Sequence, residues 1–154
     1  LIGGISALAV SPEIRASLSR LLVDSQETHT EFQMGGETYA APDVPDGFEG
    51  GFYPSYIPEG FTLRNAYWGG ASYETEDGRV LYYDEYNENT VMDLDTEDAD
   101  VRYGTVGGTE AMFVEKNGLS SVVWSFANRF FLVSIRGTVE EATKVAESLV
   151  VIDK

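Results

Sequence analysis

Tyrosine and tryptophan are the residues with most to offer a ligand in this chain, and they crowd into one part of it. Eight of them lie between residues 53 and 86. Their rings can stack on a sugar or on a partner surface, but they are also common in strands because they pack well there. Packing in the core and on the sheet is therefore one interpretation. The other is an aromatic ligand-binding face, for which we select Tyr67, Trp68, Tyr73, Tyr82 and Tyr86.

A run of acidic residues offers a second kind of chemistry. Carboxylates recur from Asp93 to Asp100, and hard cations such as calcium need several such oxygens held close together. The EF-hand pattern is absent, since Asp98 stands where its glycine belongs and Gly104 where its glutamate belongs. Solvated acids beside a strand edge are one interpretation. The alternative is a loose calcium site made by Asp93, Asp95 and Glu97.

Catalytic signatures are missing from the sequence. His29 is its only histidine, it has no cysteine, and no G-x-S-x-G nucleophile motif occurs. A glycosidase needs two carboxyl groups at a set distance, which a sequence does not reveal, although it offers Glu59, Glu74, Asp84 and Glu85. We therefore predict that the protein is not an enzyme and uses no cofactor.

The formal net charge of −16 is unevenly distributed. Residues 37–100 carry 16 acidic side chains and only two basic ones, Arg64 and Arg79. Such a field repels phosphate backbones and anionic headgroups, so we predict no nucleic-acid partner and no membrane binding through charge.

The N-terminal part has three sections. Residues 1–10 are apolar but too few to span a bilayer, so they are either a buried lead or the outer end of a transmembrane segment. Ser11-Pro12-Glu13 then opens an amphipathic helix over residues 11–32. Residues 33–58 are rich in glycine and proline and predict a linker or a wrapped loop.

The remaining residues, 59–154, have the pattern of an antiparallel sheet followed by a helix. The pair Asn117-Gly118 suits a two-residue hairpin turn, and Ala127-Asn128 separates the next two strands. Thr138 and Glu141 form a capping box that starts a helix over residues 139–149. Earlier strands are predicted at residues 62–68, 71–75, 79–86, 90–94 and 101–106.

These elements predict an α+β fold in which residues 11–154 form one globular unit. It would contain an antiparallel sheet of about six strands, with the N-terminal and the C-terminal helix packed on one face. In the last hairpin, Val122, Trp124 and Phe126 should form one face, with Phe131, Val133 and Ile135 opposite them on the neighbouring strand. Phe130 and Leu132 are apolar too, so both faces of that strand should be covered, which predicts a central position.

The order of these signals resembles one family, known as domain of unknown function 4367. The resemblance covers roughly residues 11–151. It rests on Ser11-Pro12-Glu13, Glu27 to Thr30, Tyr56 to Phe61, Asp95 to Glu97, Gly107, Trp124 before the Asn128 turn, and Val139 to Leu149.

The resemblance implies the extracytoplasmic domain of a Gram-positive membrane protein with a single N-terminal transmembrane helix. Members are often encoded beside sigma factors, which implies a membrane-anchored regulator similar to an anti-sigma factor. We therefore expect a non-enzymatic sensor or interaction module whose partner is an unknown protein or a cell-envelope ligand. The alternatives are a domain that binds or hydrolyses cell-wall polysaccharide, and a carrier of apolar ligands.

Overall fold

The computed structural model describes residues 42–87 and 94–152. The predicted N-terminal helix, the apolar lead, His29 and Asp93 lie outside these residues. The described part contains strands β1 (Phe52–Pro54), β2 (Thr62–Tyr67), β3 (Gly70–Glu74), β4 (Val80–Asn87), β5 (Asp100–Val106), β6 (Thr109–Lys116), β7 (Leu119–Phe126), β8 (Arg129–Arg136) and β9 (Leu149–Val151), and helix α1 (Val139–Glu147).

Seven of the strands form one antiparallel sheet in the order β2-β3-β4-β8-β7-β6-β5. Strands β2, β3 and β4 form a meander that starts at one edge of the sheet. Strand β5 lies at the other edge, and β6, β7 and β8 follow inward from it. Strand β8 thus pairs with both β4 and β7, which confirms its predicted central position.

The predicted fold class is wrong. The described residues are mostly β, with seven strands in the main sheet instead of about six, a second sheet made by β1 and β9, and one helix of nine residues. The prediction places two helices on one face of the sheet, whereas the single helix of the described residues covers only part of that face. The predicted helix at residues 139–149 also ends early, because Leu149 belongs to β9.

Two tight turns fix the register of the C-terminal meander. Asn117 and Gly118 both have positive φ, 51° and 78°, as a two-residue hairpin of this type requires. Ala127 and Asn128 repeat the geometry at 52° and 61°. The resulting register places Val122 opposite Val133 and Trp124 opposite Phe131, with the two rings of the second pair stacked at 5.4 Å. The predicted sets therefore share one face, although Phe126 and Ile135 pair with Arg129 and Ser120.

Helix α1 begins with the predicted capping box. The Thr138 hydroxyl accepts a hydrogen bond from the Glu141 backbone N–H, and the Glu141 carboxylate accepts one from the Thr138 backbone N–H. Ala142, Val145 and Ala146 are buried and turn the helix onto β7 and β8. The helix therefore covers one face of the main sheet, which we call the helix face.

The central strands of the main sheet are buried on both sides. The largest fully buried side chains of the helix face include Trp124, Tyr83 and Phe131, and they join residues of α1, β1 and β9 in one cluster. The opposite face has a smaller cluster comprising Leu94, Met112, Val114, Val123, Phe130 and Leu132. Leu132 and Val133 are consecutive and both 0% exposed, so strand β8 contributes to both clusters.

The small sheet is bonded to the main one by side chains. The Tyr83 hydroxyl donates a hydrogen bond to the Phe52 carbonyl at 2.9 Å, and the Tyr53 and Tyr73 hydroxyls bond to each other. Phe52 also meets Phe131 edge to face. Part of the glycine- and proline-rich region thus packs into the core. Within residues 42–87 and 94–152, no helix has both the length and the apolar character needed to cross a bilayer.

The Asn117 turn gives a direct test of the register. Asn117→Ala is expected to lower the free energy of unfolding by about 1 kcal/mol, since alanine tolerates a positive φ less well than asparagine. Urea denaturation measures the change. The matched control is Asn65→Ala, an equal truncation at an exposed strand position without a positive φ, for which we expect less than about 0.5 kcal/mol. Equal effects in the two variants would contradict the turn assignment.

Candidate ligand-binding cleft

The five aromatic residues selected from the sequence do not share one face. Tyr73 is buried on the helix face, where its hydroxyl meets that of Tyr53. Tyr67, Tyr82 and Tyr86 lie on the opposite face, and Trp68 occupies the turn between β2 and β3. Core packing therefore accounts for Tyr73, while Trp68 and Tyr86 contribute to a cleft at one end of the sheet.

The cleft has a volume of about 630 Å³, within the range typical of small-molecule sites. It forms where the turns of the main sheet meet the small sheet. Its lining contains aromatic, charged and amide side chains together with glycine backbone, contributed by Glu49, Gly50, Gly51, Trp68, Gly69, Glu85, Tyr86, Asn87, Ala127, Asn128, Arg129 and Ile152.

Trp68 is 68% exposed, more than any other large apolar residue in the described part of the chain. Its backbone is nevertheless held firmly. The Gly69 N–H donates to the Glu49 carbonyl at 2.8 Å, and the Glu85 N–H donates to the Gly69 carbonyl at 2.6 Å. Gly69 has a φ of +78°, and a Cβ there would lie 2.9 Å from the Glu85 carbonyl oxygen, so the turn requires glycine. A fixed backbone thus presents an exposed indole.

Glu85 forms the inner wall of the cleft and is a buried carboxylate with several hydrogen-bond donors around it. Its side chain is 3% exposed. It accepts hydrogen bonds from the Gly51 N–H at 3.0 and 3.1 Å and from the Phe52 N–H at 3.2 Å, and it pairs with the Arg129 guanidinium. These donors compensate for the loss of water around a buried charge. The pair also joins the start of β1 to the centre of the main sheet.

Asp84 lies next to Glu85 in sequence but on the other side of the sheet, because consecutive strand residues point to opposite faces. It is 4% exposed, its Oδ1 accepts a hydrogen bond from the Tyr67 hydroxyl at 2.8 Å, and its Oδ2 has no partner. Burial raises the pKa of Asp84 to about 6, although the bond from Tyr67 opposes the rise. The two carboxylates therefore cannot flank the same glycosidic bond.

The other two acids of the glycosidase hypothesis are also apart from the cleft. Glu74 pairs with Arg64 on the outer strands, and Glu59 is exposed in the loop before β2. Neither lines the cleft. The four carboxyl groups that we considered from the sequence thus have four different surroundings.

The calcium candidates can be located only in part. Asp95 is exposed and pairs with Lys116, whose Nζ lies 2.7 Å from its Oδ1, and this bond holds the pKa of Asp95 below its usual value. Glu97 is exposed, and Asp93 lies outside the described residues. No group of three or more histidine, cysteine or acidic side chains able to hold a metal occurs within residues 42–87 and 94–152. The loose calcium site stays a prediction.

A second groove, of about 560 Å³, lies between α1 and the edge strand β5. Both of its cations are already engaged. Arg102 contacts Glu115 and Asp100, and Lys144 Nζ lies 4.5 Å from the ring centroid of Tyr56. Tyr103, which is 51% exposed, lines this groove and is a useful counterpart to Trp68.

Sequence reasoning missed most of the polar lining of the cleft. Glu49, Asn87 and Arg129 belong to three segments that strand pairing brings together. The Ala127-Asn128 turn was identified, but only as a turn. One local feature marks the cleft: Ala127 has a positive φ, and a non-glycine residue with positive φ beside a cavity is typical of functional sites.

The Glu85 carboxylate gives the first prediction for this region. Glu85→Gln is expected to lower the free energy of unfolding by about 2–4 kcal/mol, because an amide places a donor against the N–H groups and leaves Arg129 without its counter-charge. Urea denaturation at neutral pH measures it. The control is Glu74→Gln, which breaks the exposed pair with Arg64 and should cost less than about 1 kcal/mol. A smaller loss for Glu85→Gln than for Glu74→Gln would contradict our account of Glu85.

Asp84 gives a prediction with the opposite sign. A carboxyl group whose folded-state pKa is raised stabilises the fold below its unfolded value and loses that contribution as pH rises. The window here runs from about pH 4 to about pH 6. Asp84→Asn should remove this fall and raise the free energy of unfolding at pH 7 by about 2–3 kcal/mol.

The measurement is the difference in urea unfolding between Asp84→Asn and the parent chain at several values from pH 4 to pH 8. The control is Asp46→Asn, because Asp46 is exposed in a loop. A difference that stays constant with pH would show that Asp84 ionises in the fold as it does in water.

The match to known proteins is confined to one family. A family model described as "Domain of unknown function (DUF4367)" matches residues 51–149, which is well over half of the chain and runs from the start of β1 to that of β9. No curated protein and no solved structure matches. The resemblance inferred from the sequence motifs is confirmed, and the chain belongs to the domain of unknown function 4367 family.

Proposed function

We propose that this domain is a non-enzymatic interaction module that receives a ligand in the cleft beside Trp68. The observation that carries the proposal is the exposure of Trp68 on a backbone fixed from two sides. Leaving a large indole in water forfeits the stabilisation that its burial would give. A rigid turn that holds this ring out of the core is therefore better explained by binding than by folding.

Two further observations support binding over catalysis. Of the two carboxylates that line the cleft, Glu85 is engaged by Arg129 and backbone N–H groups, which leaves it no role as a proton donor or nucleophile. Asp84, whose pKa of about 6 would suit acid catalysis, faces the other side of the sheet. Enzyme action through the acidic pair Asp84 and Glu85 thus has no geometric support.

The cellular setting of the proposal comes from the family resemblance. We infer that the module lies outside the cell, follows a single transmembrane helix and passes the state of the cleft to an anti-sigma-like regulator. The acidity of the chain is compatible with a surface that avoids anionic lipid headgroups.

The carrier of apolar ligands receives less support. A lipid between a curved sheet and its helix would need the space that the chain's own side chains occupy. Trp124, Phe131 and Tyr83 are each 0% exposed there, and Ala142, Val145 and Ala146 of α1 close over them. The polysaccharide alternative is compatible with the cleft, since an exposed indole suits a sugar ring.

The proposal predicts that a cleft ligand protects Trp68. Cell-wall fragments, lipids and cations are added one at a time, and acrylamide quenching of tryptophan fluorescence and thermal unfolding are recorded. Trp68 and Trp124 are the only tryptophans, and Trp124 is fully buried, so collisional quenching reports on Trp68. A ligand at 100 times its Kd should add about 2.7 kcal/mol to stability and reduce the quenching.

Two variants make the test specific. Trp68→Ala should abolish the stabilisation by the ligand, whereas Tyr103→Ala, which removes an exposed aromatic ring from the edge strand β5 beside the second groove, should leave it unchanged. A ligand whose effect survives Trp68→Ala and disappears with Tyr103→Ala would move the site to the second groove and refute the proposal.

A further inference from the structure

The polar groups of the cleft offer donors and acceptors side by side. The Arg129 guanidinium carries five N–H donors, and its side chain is 42% exposed. Its bond to Glu85 occupies only part of this capacity among the described residues. Glu49 and Asn128 are exposed on the same lining and supply carboxylate and amide oxygens. A hydroxyl group both donates and accepts, so several neighbouring hydroxyls match this mixture better than a purely acidic or basic ligand does.

The charge balance of the cleft favours a neutral ligand. Its charged lining residues within the described chain are Glu49, Glu85 and Arg129. Glu85 and Arg129 neutralise each other, which leaves one exposed acid and one guanidinium whose charge is already balanced. Glu49 and a chain of net charge −16 would repel a polyanion, and the Arg129 guanidinium in the wall would repel a cation. Neither sign of charge is complemented.

The shape of the site completes the argument. Trp68 presents a flat, exposed apolar surface beside the hydrogen-bonded Gly69 backbone at the edge of a polar cleft, an arrangement that suits a ring with one face of C–H groups and a rim of hydroxyls. Tyr86 and the glycine backbone of Gly50 and Gly51 form further lining. A Cβ at Gly50 would lie 2.7 Å from the Glu85 carboxylate, so the backbone there passes too close for a side chain. Glycine thus lets the backbone of this wall pack directly against Glu85 and Phe48.

We propose that the cleft binds a neutral saccharide, with one sugar ring stacked on Trp68 and its hydroxyls bonded to Glu49, Asn128 and Arg129. This inference rests on the proposed function, because it names the ligand class of the same cleft. The glycan is held without being cleaved, since the only buried carboxylate of the cleft is occupied by its structural bonds.

The test uses four soluble probes of similar size at millimolar concentration. Two are neutral oligosaccharides, a β-1,4-linked N-acetylglucosamine tetramer and maltotetraose. One is cationic, tetralysine, and one is anionic, tetraglutamate. Protection of Trp68 from acrylamide is measured at low and high salt, and backbone amide NMR shifts locate the contact. We expect a neutral saccharide to saturate the Trp68 signal with an affinity that salt does not change, since screening acts only on charges.

Four variants separate the contributions. Trp68→Ala should weaken saccharide binding about tenfold or more, as loss of a central aromatic anchor does, and Trp68→Phe should recover part of it. Asn128→Gly removes the amide while keeping a residue that accepts the positive φ of 61°, and should weaken binding severalfold. Glu49→Gln keeps an acceptor without the charge, so it should change saccharide affinity less than threefold.

Each result decides between the two levels of the proposal. Saturation by tetralysine or tetraglutamate alone, with a strong salt dependence or a large effect of Glu49→Gln, overturns the saccharide class and leaves the cleft as the binding site. No response of Trp68 to either neutral oligosaccharide overturns the inference as well. Chemical shifts that move around Tyr103 and not around Trp68 overturn both the inference and the proposed function.

Discussion

The fold depends on one buried carboxylate. Glu85 sits at the centre of the main sheet, where strand β4 pairs with β8, and it binds the backbone of β1 as well as the Arg129 side chain. Without it the short β1–β9 ladder would hold to the sheet mainly through aromatic contacts and the Tyr83 hydroxyl. A buried charge is costly unless it is fully bonded, so the chain can place one here only because glycine lets the backbone come close. The same contacts of Glu85 therefore stabilise the fold and shape the cleft.

The parts of the fold that sequence could predict are those governed by neighbouring residues. Asn117-Gly118 can adopt the required positive φ angles, and Thr138 with Glu141 satisfies the first N–H groups of α1, so both features follow from local chemistry. Strands β1 and β9 are three residues each and exist only because they meet each other. No periodicity develops over three residues, which is why the sequence pattern predicts a loop at Phe52 and a helix at Leu149. The predicted α+β fold class is wrong for a related reason, because a sequence pattern does not show how much of the sheet a helix covers.

The candidate site was predictable to a smaller degree. The aromatic composition draws attention to residues 53–86, and Trp68 and Tyr86 of that stretch line the cleft. Alternation alone separates Tyr82 from Tyr83, but it does not reveal which face the helix covers, and so Tyr73 could not be assigned to the core. Arg129 lies 44 positions from Glu85 in the sequence, and only the β4–β8 pairing brings the two together. A site made by strands that are distant in the sequence can be predicted only when the strand register is known.

The register of the β1–β9 ladder has a mechanical consequence. Phe52 pairs with Val151 and Pro54 with Leu149, so the chain enters β1 and leaves β9 at the same corner of the domain. A force applied to the segments that flank these strands would separate the ladder one residue pair at a time instead of breaking all its hydrogen bonds together. The load would then act on the contacts at the cleft, the Glu49–Gly69 and Gly51–Glu85 hydrogen bonds, before it opened the strand ladders of the large sheet. Tension along the polypeptide would therefore distort the cleft while the seven-stranded sheet stayed intact.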